Sequence, residues 1–131
     1  MIVVDSSALI AILRREPEAD AFLRIIAEAD GCLLSTVSLL EASLVLAGRQ
    51  GDARSWTELD ALVVQAGMEV VPQDAALTRA ARMAFLRYGK GRHRAGLNLG
   101  DCAIYALASS RNLPLLSKGN DFPHTDLRVA A

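Results

Sequence analysis

The 131-residue sequence has few cysteines, few aromatic residues and almost no net charge. Its two cysteines, Cys32 and Cys102, are too few for a disulfide scaffold and lack the spacing of a zinc site, so they suit a reducing compartment. The net charge of −1 excludes a general attraction of the whole molecule to polyanions. Any nucleic acid must therefore be held by a local basic patch.

Long hydrophobic runs are absent as well. No apolar run approaches the roughly 18 residues that a membrane span needs. The first residues carry no basic segment, and Asp5 interrupts the apolar run where a signal peptide would continue, so we expect a cytoplasmic protein. A chain of 131 residues supports one hydrophobic core, and we predict a single domain over residues 1–131.

Short apolar segments alternate with longer segments of helical periodicity. Strands are predicted over residues 1–4, 32–35, 69–71, 114–117 and 126–130. Helices are predicted over residues 6–14, 17–29, 37–48, 53–66, 75–88 and 101–111. This alternation is typical of βαβ units, so we predict an α/β fold in which helices cover both faces of a parallel sheet of about five strands.

Four acidic residues stand where strands and helices meet: Asp5, Glu41, Asp101 and Asp121. Each has an ordinary structural explanation when it is taken alone. Asp5 and Asp101 stand at helix starts, where N-cap residues are found. Glu41 follows Ser38 with the S-x-x-E spacing of a capping box, and Asp121 lies in an Asn-Asp stretch typical of a turn.

Taken together, the four acids predict one shared site. The carboxyl ends of parallel strands and the N-termini of the following helices meet at one edge of a sheet, where ligands bind in such folds. Carboxylates gathered there repel one another unless a cation lies among them. Oxygen ligands of this kind suit Mg²⁺ or Mn²⁺, which also bind phosphate oxygens. The pattern therefore indicates metal-assisted hydrolysis of a phosphodiester.

Four blocks of the sequence, in this order, resemble the PIN-domain ribonucleases of the VapC toxin type. The blocks are VVDSSALIAIL, STVSLLEASLVLA, LNLGDCAIYALA and LPLLSKGNDF, and the resemblance covers essentially the whole chain. It implies a three-layer α/β/α sandwich with a parallel sheet. It also implies a Mg²⁺- or Mn²⁺-dependent endoribonuclease, the toxin of a type II toxin–antitoxin system, which is inhibited by a cognate VapB-like antitoxin.

The resemblance also implies which residues form the site. Block by block, the acids of the family's metal site fall on Asp5, Glu41, Asp101 and Asp121. Asp5 and Asp101 are the first choice as metal ligands. Small polar residues that help to arrange such a site fall on Ser7, Thr36 and Asn98.

The last of these acids departs from the family's pattern. The family often has two acids before the final phenylalanine, whereas this chain has Asn120, Asp121 and Phe122 in succession. Asp121 is therefore the least conventional member of the set, and it contacts the metal either directly or through water.

Residues 88–96, YGKGRHRAG, form a loop rich in glycine and positive charge just ahead of Asp101. In this loop Lys90, Arg92 and Arg94 are candidates for RNA binding, because a flexible basic loop reaches phosphates beside the acids. An ordinary solvated loop explains the same residues, and this alternative stays open.

The apolar fraction of 52% is high for a chain of this size. Segments 37–48 and 102–108 offer more apolar surface than one core buries, so we expect a homodimer with a self-complementary interface. The family resemblance points the same way, and a toxin–antitoxin heterocomplex would contain this dimer.

Two other functions stay open from the residues alone. A phosphoacceptor receiver domain also combines a parallel sheet, an acidic pocket with Mg²⁺ and a lysine after a late strand, the place of Lys118. Such a domain needs paired acids after the first strand, however, and Asp5 is followed by two serines. A non-catalytic binding module, in which the acids serve only as helix caps, is the second alternative.

Overall fold

A computed structural model describes residues 1–130, so the predicted domain limit at residue 131 lies outside the described residues. The strands are β1 (Ile2–Val4), β2 (Cys32–Ser35), β3 (Glu69–Val71) and β4 (Leu115–Leu116). The α-helices are α1 (Ser6–Leu13), α2 (Ala19–Glu28), α3 (Thr36–Ala47), α4 (Thr57–Gln65), α5 (Ala75–Tyr88) and α6 (Leu99–Arg111). Two 3-10 turns cover Ala53–Trp56 and Phe122–His124.

The four strands form one parallel sheet in the order β3-β2-β1-β4. Val3 in β1 pairs with Leu33 of β2 and with Leu115 of β4, and all three side chains are fully buried. These central strands are entirely apolar up to Ser35 because helices cover both of their faces.

Side chains that alternate along β1 contribute to two separate cores. Val3 clusters with buried residues of α5 and α6, whereas Ile2 and Val4 cluster with buried residues of α1, α2, α3 and α4. Successive strand residues point to opposite faces of a sheet, so the two clusters lie on its two sides. The predicted three-layer α/β/α arrangement is confirmed.

The sheet has four strands instead of the five predicted. The predicted strand over residues 126–130 is reduced to a single parallel bridge between Leu115 and Val129. Just before this bridge the Asp126 carboxylate accepts a hydrogen bond from the Tyr105 hydroxyl of α6. Only the last residues of the segment pair with β4: the Leu115 N–H donates to the Arg128 carbonyl, and the Ala130 N–H donates to the Leu115 carbonyl.

Two features of the helices also differ from the expectations. Segment 102–108 was expected to offer apolar surface to a partner, but it is buried throughout, against the sheet and against α5. By contrast, three large side chains of α3 are exposed: Leu40, Leu44 and Val45. Among residues 1–130 no helix is long and apolar enough to cross a membrane.

Candidate active site

A cleft of about 230 Å³ lies at the edge of the sheet where β1 and β4 end. All four predicted acids line it: Asp5, Glu41, Asp101 and Asp121. The polar residues Ser6, Ser7, Asn98 and Ser117 also line it, together with Gly119 and Phe122. The topology explains this convergence, because parallel strands place their carboxyl ends at a common edge.

Asp5 lies at the centre of the cleft and is only 6% exposed. It is the N-cap of α1, and its Oδ2 accepts hydrogen bonds from the Ser7 backbone N–H at 3.2 Å and from the Ser7 hydroxyl at 2.6 Å. Burial raises the pKa of Asp5 above its ordinary value, although the hydrogen bonds from Ser7 oppose this change. Asp5 therefore serves as a helix cap and also faces the cleft.

The Ser7 hydroxyl joins the two strand ends that bound the cleft. While it donates to Asp5, it accepts a hydrogen bond of 3.0 Å from the Lys118 backbone N–H and lies 3.3 Å from the Ser117 hydroxyl. Ser7 thus fixes the carboxylate of Asp5 to the segment that follows β4. The sequence pointed to Ser7 but not to Ser117, although Ser117 follows β4 in the same way that Asp5 follows β1.

Glu41 lies near the middle of α3, so the capping-box explanation for it is wrong. The actual N-cap is Ser35, whose hydroxyl accepts a hydrogen bond from the Val37 backbone N–H at 3.0 Å. Ser38 is inside the helix and fully buried, and its hydroxyl has no hydrogen-bond partner among residues 1–130. No helix-capping role therefore accounts for the carboxylate of Glu41.

The Glu41 carboxylate reaches the cleft by packing directly over Gly100 of α6. A Cβ atom at Gly100 would overlap both carboxylate oxygens of Glu41. Burial raises the pKa of Glu41, and the negative charges of Asp5 and Asp101 raise it further. Glu41 therefore lies within the electrostatic influence of Asp5 and Asp101.

Asp101 is the third residue of α6 rather than its N-cap. Asn98 is the N-cap, and the two residues form a reciprocal capping box: the Asp101 N–H donates to Asn98 Oδ1 at 2.9 Å, and the Asn98 N–H donates to Asp101 Oδ2 at 3.1 Å. Burial raises the pKa of Asp101 to about 6, against the hydrogen bond from Asn98, and the charges of Asp5 and Asp121 add to the increase.

Asp121 and Thr36 have different surroundings from the other predicted site residues. Asp121 lines the cleft but is exposed, and its side chain makes no capping hydrogen bond to the 3-10 turn that follows it. Thr36 does not line the cleft, so its predicted role in arranging the acids is not supported. Its hydroxyl instead accepts a hydrogen bond of 3.0 Å from the Gln73 backbone N–H after β3.

The donor set of the cleft fits a hard divalent cation. Carboxylate, hydroxyl and amide oxygens are the ligands that Mg²⁺ and Mn²⁺ favour, and the charges of neighbouring acids add to the effect of burial in raising the pKa values of Glu41 and Asp101. Within the described part of the chain, no three Asp, Glu, His or Cys side chains stand close enough to hold one ion as they are placed. Mg²⁺ usually keeps several of its waters in proteins, so an ion here would be held by fewer than three of these side chains, with water as its other ligands.

The basic loop is closed by its own hydrogen bonds, whereas the sequence predicted a flexible loop. The Lys90 N–H donates to the Leu97 carbonyl at 2.9 Å, and the Leu97 N–H donates to the Tyr88 carbonyl at 3.0 Å. The charged residues Lys90, Arg92 and Arg94 are all exposed. The loop is followed closely by Asn98, which lines the cleft, so the charged residues of the loop are near the cleft in sequence.

Lys118, which the receiver-domain alternative requires in the acidic pocket, is bound elsewhere. Its ammonium lies 2.8 Å from Glu16 and 3.2 Å from Glu18, between α1 and α2, and it does not line the cleft. The arrangement does not favour a phosphoacceptor site.

Known proteins of the same type identify the family. A model of the PIN domain matches residues 2–127. Ribonuclease VapC30 of Mycobacterium tuberculosis is 48% identical over 130 residues, which cover 98% of this chain and 98% of that relative. The chain belongs to the PIN-domain family of VapC ribonucleases. Ribonuclease VapC of Mycolicibacterium smegmatis is 46% identical over 125 residues, which are 95% of this chain and 96% of that relative.

Solved structures of VapC proteins share the fold. VapC20 of Mycobacterium tuberculosis, a sarcin–ricin loop cleaving toxin, superposes with a TM-score of 0.75 at 19% identity, over 98% of this chain and 99% of that chain. A toxin–antitoxin complex from Klebsiella pneumoniae gives a TM-score of 0.73 at 16% identity, over 100% of this chain and 98% of that chain. At these identities the likeness shows the fold alone.

Proposed function

We propose that this protein is the toxin of a type II toxin–antitoxin system, and that it hydrolyses phosphodiester bonds inside RNA chains. The proposal treats residues 1–131 as one nuclease domain that acts in the cytoplasm with Mg²⁺ or Mn²⁺. One observation carries the chemistry: acids from four separate parts of the chain line one cleft, where burial and the charges of neighbouring acids raise the pKa values of Glu41 and Asp101. Membership of the VapC ribonucleases supports the choice of RNA as substrate.

In this proposal Asp5 and Asp101 hold the metal ion, and Glu41 and Asp121 complete the ligand set directly or through water. A bound Mg²⁺ or Mn²⁺ supplies activation of the attacking water and stabilisation of the leaving oxygen. Ser7 holds the Asp5 carboxylate in place, and Asn98 does the same for Asp101 through the capping box. Glu41 adds negative charge where its carboxylate packs over Gly100 of α6.

The partner of such a nuclease is a cognate VapB-like antitoxin that blocks the cleft. Solved relatives of this fold include a toxin–antitoxin complex from Klebsiella pneumoniae and VapBC2 from Rickettsia felis bound to a promoter DNA fragment. An RNA-cleaving enzyme in the cytoplasm of its own host needs an inhibitor, which supports a partner of this kind here.

Cleavage of a single-stranded RNA by the purified chain tests the function. We expect cleavage in Mg²⁺ or Mn²⁺, none in EDTA, and none with Asp5→Asn, because this variant loses the central carboxylate. Asp60→Asn makes the same replacement at an exposed acid of α4, and this variant should cleave RNA like the wild type. Cleavage that persists at full rate in EDTA or with Asp5→Asn would contradict the proposal.

The exposed arginines of the basic loop should contribute to RNA affinity. In the Arg92→Ala/Arg94→Ala variant we expect weaker binding to all RNA sequences alike, because phosphate contacts carry no sequence information. Loss of two phosphate contacts should reduce the slope of log affinity against log salt by about 1.4. Arg24→Ala/Arg49→Ala removes two other exposed arginines and should leave the slope unchanged. An unaltered slope in the loop variant would exclude the loop from RNA binding.

The exposed apolar face of α3 supports a homodimer. Leu40 and Leu44 are 58% and 62% exposed and lie one turn apart, so they form a contiguous apolar stripe. We expect light scattering to give a dimer for the wild type and a monomer for Leu44→Asp. Val64→Asp, at a more exposed apolar position in α4, should remain dimeric. A monomeric wild type at tens of micromolar would rule out this interface.

A further inference from the structure

The positive charge of the chain is concentrated in one segment. Six of the 14 lysine and arginine residues lie between residues 75 and 100, and this segment contains no aspartate or glutamate. All six are exposed, and they lie on α5 and on the basic loop: Arg79, Arg82, Arg87, Lys90, Arg92 and Arg94. The whole chain has a net charge of −1, so its other residues are negative in sum. Segment 75–100 therefore forms a local basic patch of the kind that binds a polyanion.

Arg79 and Arg82 form one exposed face of α5, which we call the arginine face. Residues three apart lie on the same side of a helix, and the opposite side of α5 packs into the core through Tyr88. Within the described part of the chain neither arginine forms a salt bridge. The acid that precedes them, Asp74, caps α5 and accepts a hydrogen bond of 2.9 Å from the Leu77 N–H. The two guanidinium groups are therefore open to an anion from outside the chain.

The basic loop folds back over the end of α5, so its charges continue the arginine face. Arg92 Nε donates a hydrogen bond of 3.1 Å to the Leu86 carbonyl in the last turn of the helix. The His93 ring packs edge-on against Tyr88, with 5.0 Å between the ring centroids, and its Nδ1 accepts a hydrogen bond of 3.0 Å from the Ala95 N–H. These contacts fix the loop on the helix. A polyanion that binds the loop therefore also meets α5.

The arginine face lies beside the acidic cleft. α5 packs along α6, and Arg82 of α5 and Leu99 of α6 border the same apolar cavity. Two residues after Leu99, Asp101 lines the cleft. Asn98, which follows the basic loop, lines it as well. The basic patch thus flanks the side of the cleft that the start of α6 forms.

The basic patch is long enough to contact several nucleotides. Arg79 precedes Tyr88, the last residue of α5, by nine positions, which is about 14 Å along the helix axis. A stacked strand advances about 3.4 Å per nucleotide, so roughly four nucleotides cover this distance. The patch therefore extends well beyond a single phosphate.

We propose that the RNA substrate extends from the cleft along α5, and that Arg79 and Arg82 bind phosphates outside the cleaved bond. This inference rests on the proposed ribonuclease function, and it makes the substrate an RNA that reaches beyond the cleft. The carboxylates of the cleft repel a polyanion, so a neighbouring surface has to supply the attraction. A guanidinium offers two N–H groups to a phosphate. Such contacts add affinity without reading the sequence.

Binding of a uracil RNA of about 30 nucleotides in EDTA, where the strand stays intact, tests the surface. Arg79→Ala/Arg82→Ala should bind it on the order of tenfold more weakly than the wild type at about 50 mM salt. Loss of two phosphate contacts lowers the slope of log affinity against log salt by about 1.4, so the difference should shrink about sevenfold by about 200 mM salt. Arg87 is left unchanged because its guanidinium already lies 3.5 Å from the Asp126 carboxylate.

Two matched variants control for this result. Arg79→Lys/Arg82→Lys keeps both positive charges and should keep the wild-type slope. Arg24→Ala/Arg49→Ala removes two exposed arginines elsewhere and should also keep it. Alanine is the stronger helix former, so Arg79→Ala/Arg82→Ala should retain the fold. An unchanged affinity and slope in that variant would overturn the inference and would point to an acidic protein partner for α5.

Cleavage kinetics connect the arginine face to the cleft. An RNA that the wild type cleaves with Mg²⁺ is compared with a tetranucleotide that keeps the cleaved bond at its centre and ends about 7 Å from it. On the long RNA, Arg79→Ala/Arg82→Ala should raise KM on the order of tenfold at low salt and leave kcat within about twofold, because these contacts hold substrate and transition state alike. On the tetranucleotide, KM should rise by less than about twofold. An equal rise of KM on both RNAs would contradict binding outside the cleaved bond.

Two further results separate this inference from its alternatives. Met83 is 65% exposed and follows Arg82 in α5. If Met83→Asp converts a dimer to a monomer, a second copy of the chain covers this side of the helix and the inference is wrong. If the wild type binds the long RNA through Arg79 and Arg82 but cleaves no RNA with Mg²⁺, the proposed function fails and the surface stands.

Discussion

We expect Asp101→Asn to lose RNA cleavage and yet to melt at a higher temperature than the wild type in EDTA. The variant lacks one of the two proposed principal metal ligands, so cleavage should fall by about a hundredfold or more. It also removes a carboxylate whose pKa is raised to about 6 by burial and by neighbouring acids, so the charged form of this group destabilises the folded protein in EDTA. The neutral amide avoids both the burial of a charge and the repulsion.

Asparagine keeps the local structure at this position. Its side-chain oxygen accepts the hydrogen bond from the Asn98 N–H, so the capping box survives. If Asp101 only stabilised the start of α6, the variant would cleave RNA normally and melt at the same temperature in EDTA. That outcome would show that the acids are helix-terminal residues without a catalytic role.

The dependence of stability on pH gives an independent check. The pKa of Asp101 is about 6 in the folded protein and 3.8 for the free side chain, so the folded protein binds this proton more tightly. The resulting stabilisation is fully present below about pH 4 and is lost as the pH rises through about 6. In EDTA the wild type should therefore melt higher at about pH 5 than at about pH 7.5. Asp101→Asn should show a smaller change, since only Asp5 and Glu41 still contribute.

Metal ions should reverse the order of the melting temperatures of the wild type and Asp101→Asn. A ligand that binds only the folded state stabilises it by about 2.7 kcal/mol at a concentration one hundred times its dissociation constant. Mg²⁺ or Mn²⁺ should thus raise the melting temperature of the wild type by several degrees and that of Asp101→Asn by little. Equal responses of the two proteins would remove Asp101 from the metal site.

Gly100→Ala should also abolish cleavage, although it alters no charged or polar group. The new Cβ overlaps the Glu41 carboxylate, which must leave its position over α6. A displacement of about 1 Å of a catalytic group lowers rates on the order of a hundredfold. Alanine favours a helix over glycine by about 1 kcal/mol, so lost activity with retained or increased stability would separate displacement of Glu41 from unfolding.

Two variants control for this interpretation. Gly119→Ala adds a methyl group to the same cleft, but its Cβ meets only the Ser117 hydroxyl at an ordinary 3.9 Å, so cleavage should remain near the wild-type level. In Gly100→Ala/Glu41→Asp the shorter acid relieves the overlap and should recover part of the activity. Full activity of Gly100→Ala itself would mean that the position of Glu41 does not matter.

The arrangement of the sheet and the meeting of the four acids at one edge of it could be predicted from the sequence. Short apolar segments alternate with helical ones, and a parallel sheet then leaves its strand ends, including Asp5, at one edge. Both features follow from the periodicity of apolar residues and from the geometry of parallel sheets, and a single sequence is enough to predict them. The predicted fifth strand is only a single bridge, because its neighbour β4 is itself only two residues long and offers little backbone to pair with.

The details of the helix starts could not be predicted in the same way. Ser35, Ser38 and Thr36 are all small hydroxyl residues near one helix start, and only the fold decides that Ser35 is the cap. Likewise Asn98, rather than Asp101, caps α6. Glu41 and Gly100 are far apart in the chain, so no local sequence pattern predicts their close approach.

The contact between Ser7 and the segment after β4 bears on when the nuclease becomes active during synthesis. Ser7 orients Asp5, but its other partners, Ser117 and the Lys118 N–H, are more than one hundred positions later in the chain. A nascent chain on the ribosome therefore holds Asp5 without Asp101, Asp121 or the hydrogen bonds that complete Ser7. Only when β4 has left the exit tunnel and paired with β1 does the cleft form, so translation itself delays the appearance of a toxic activity.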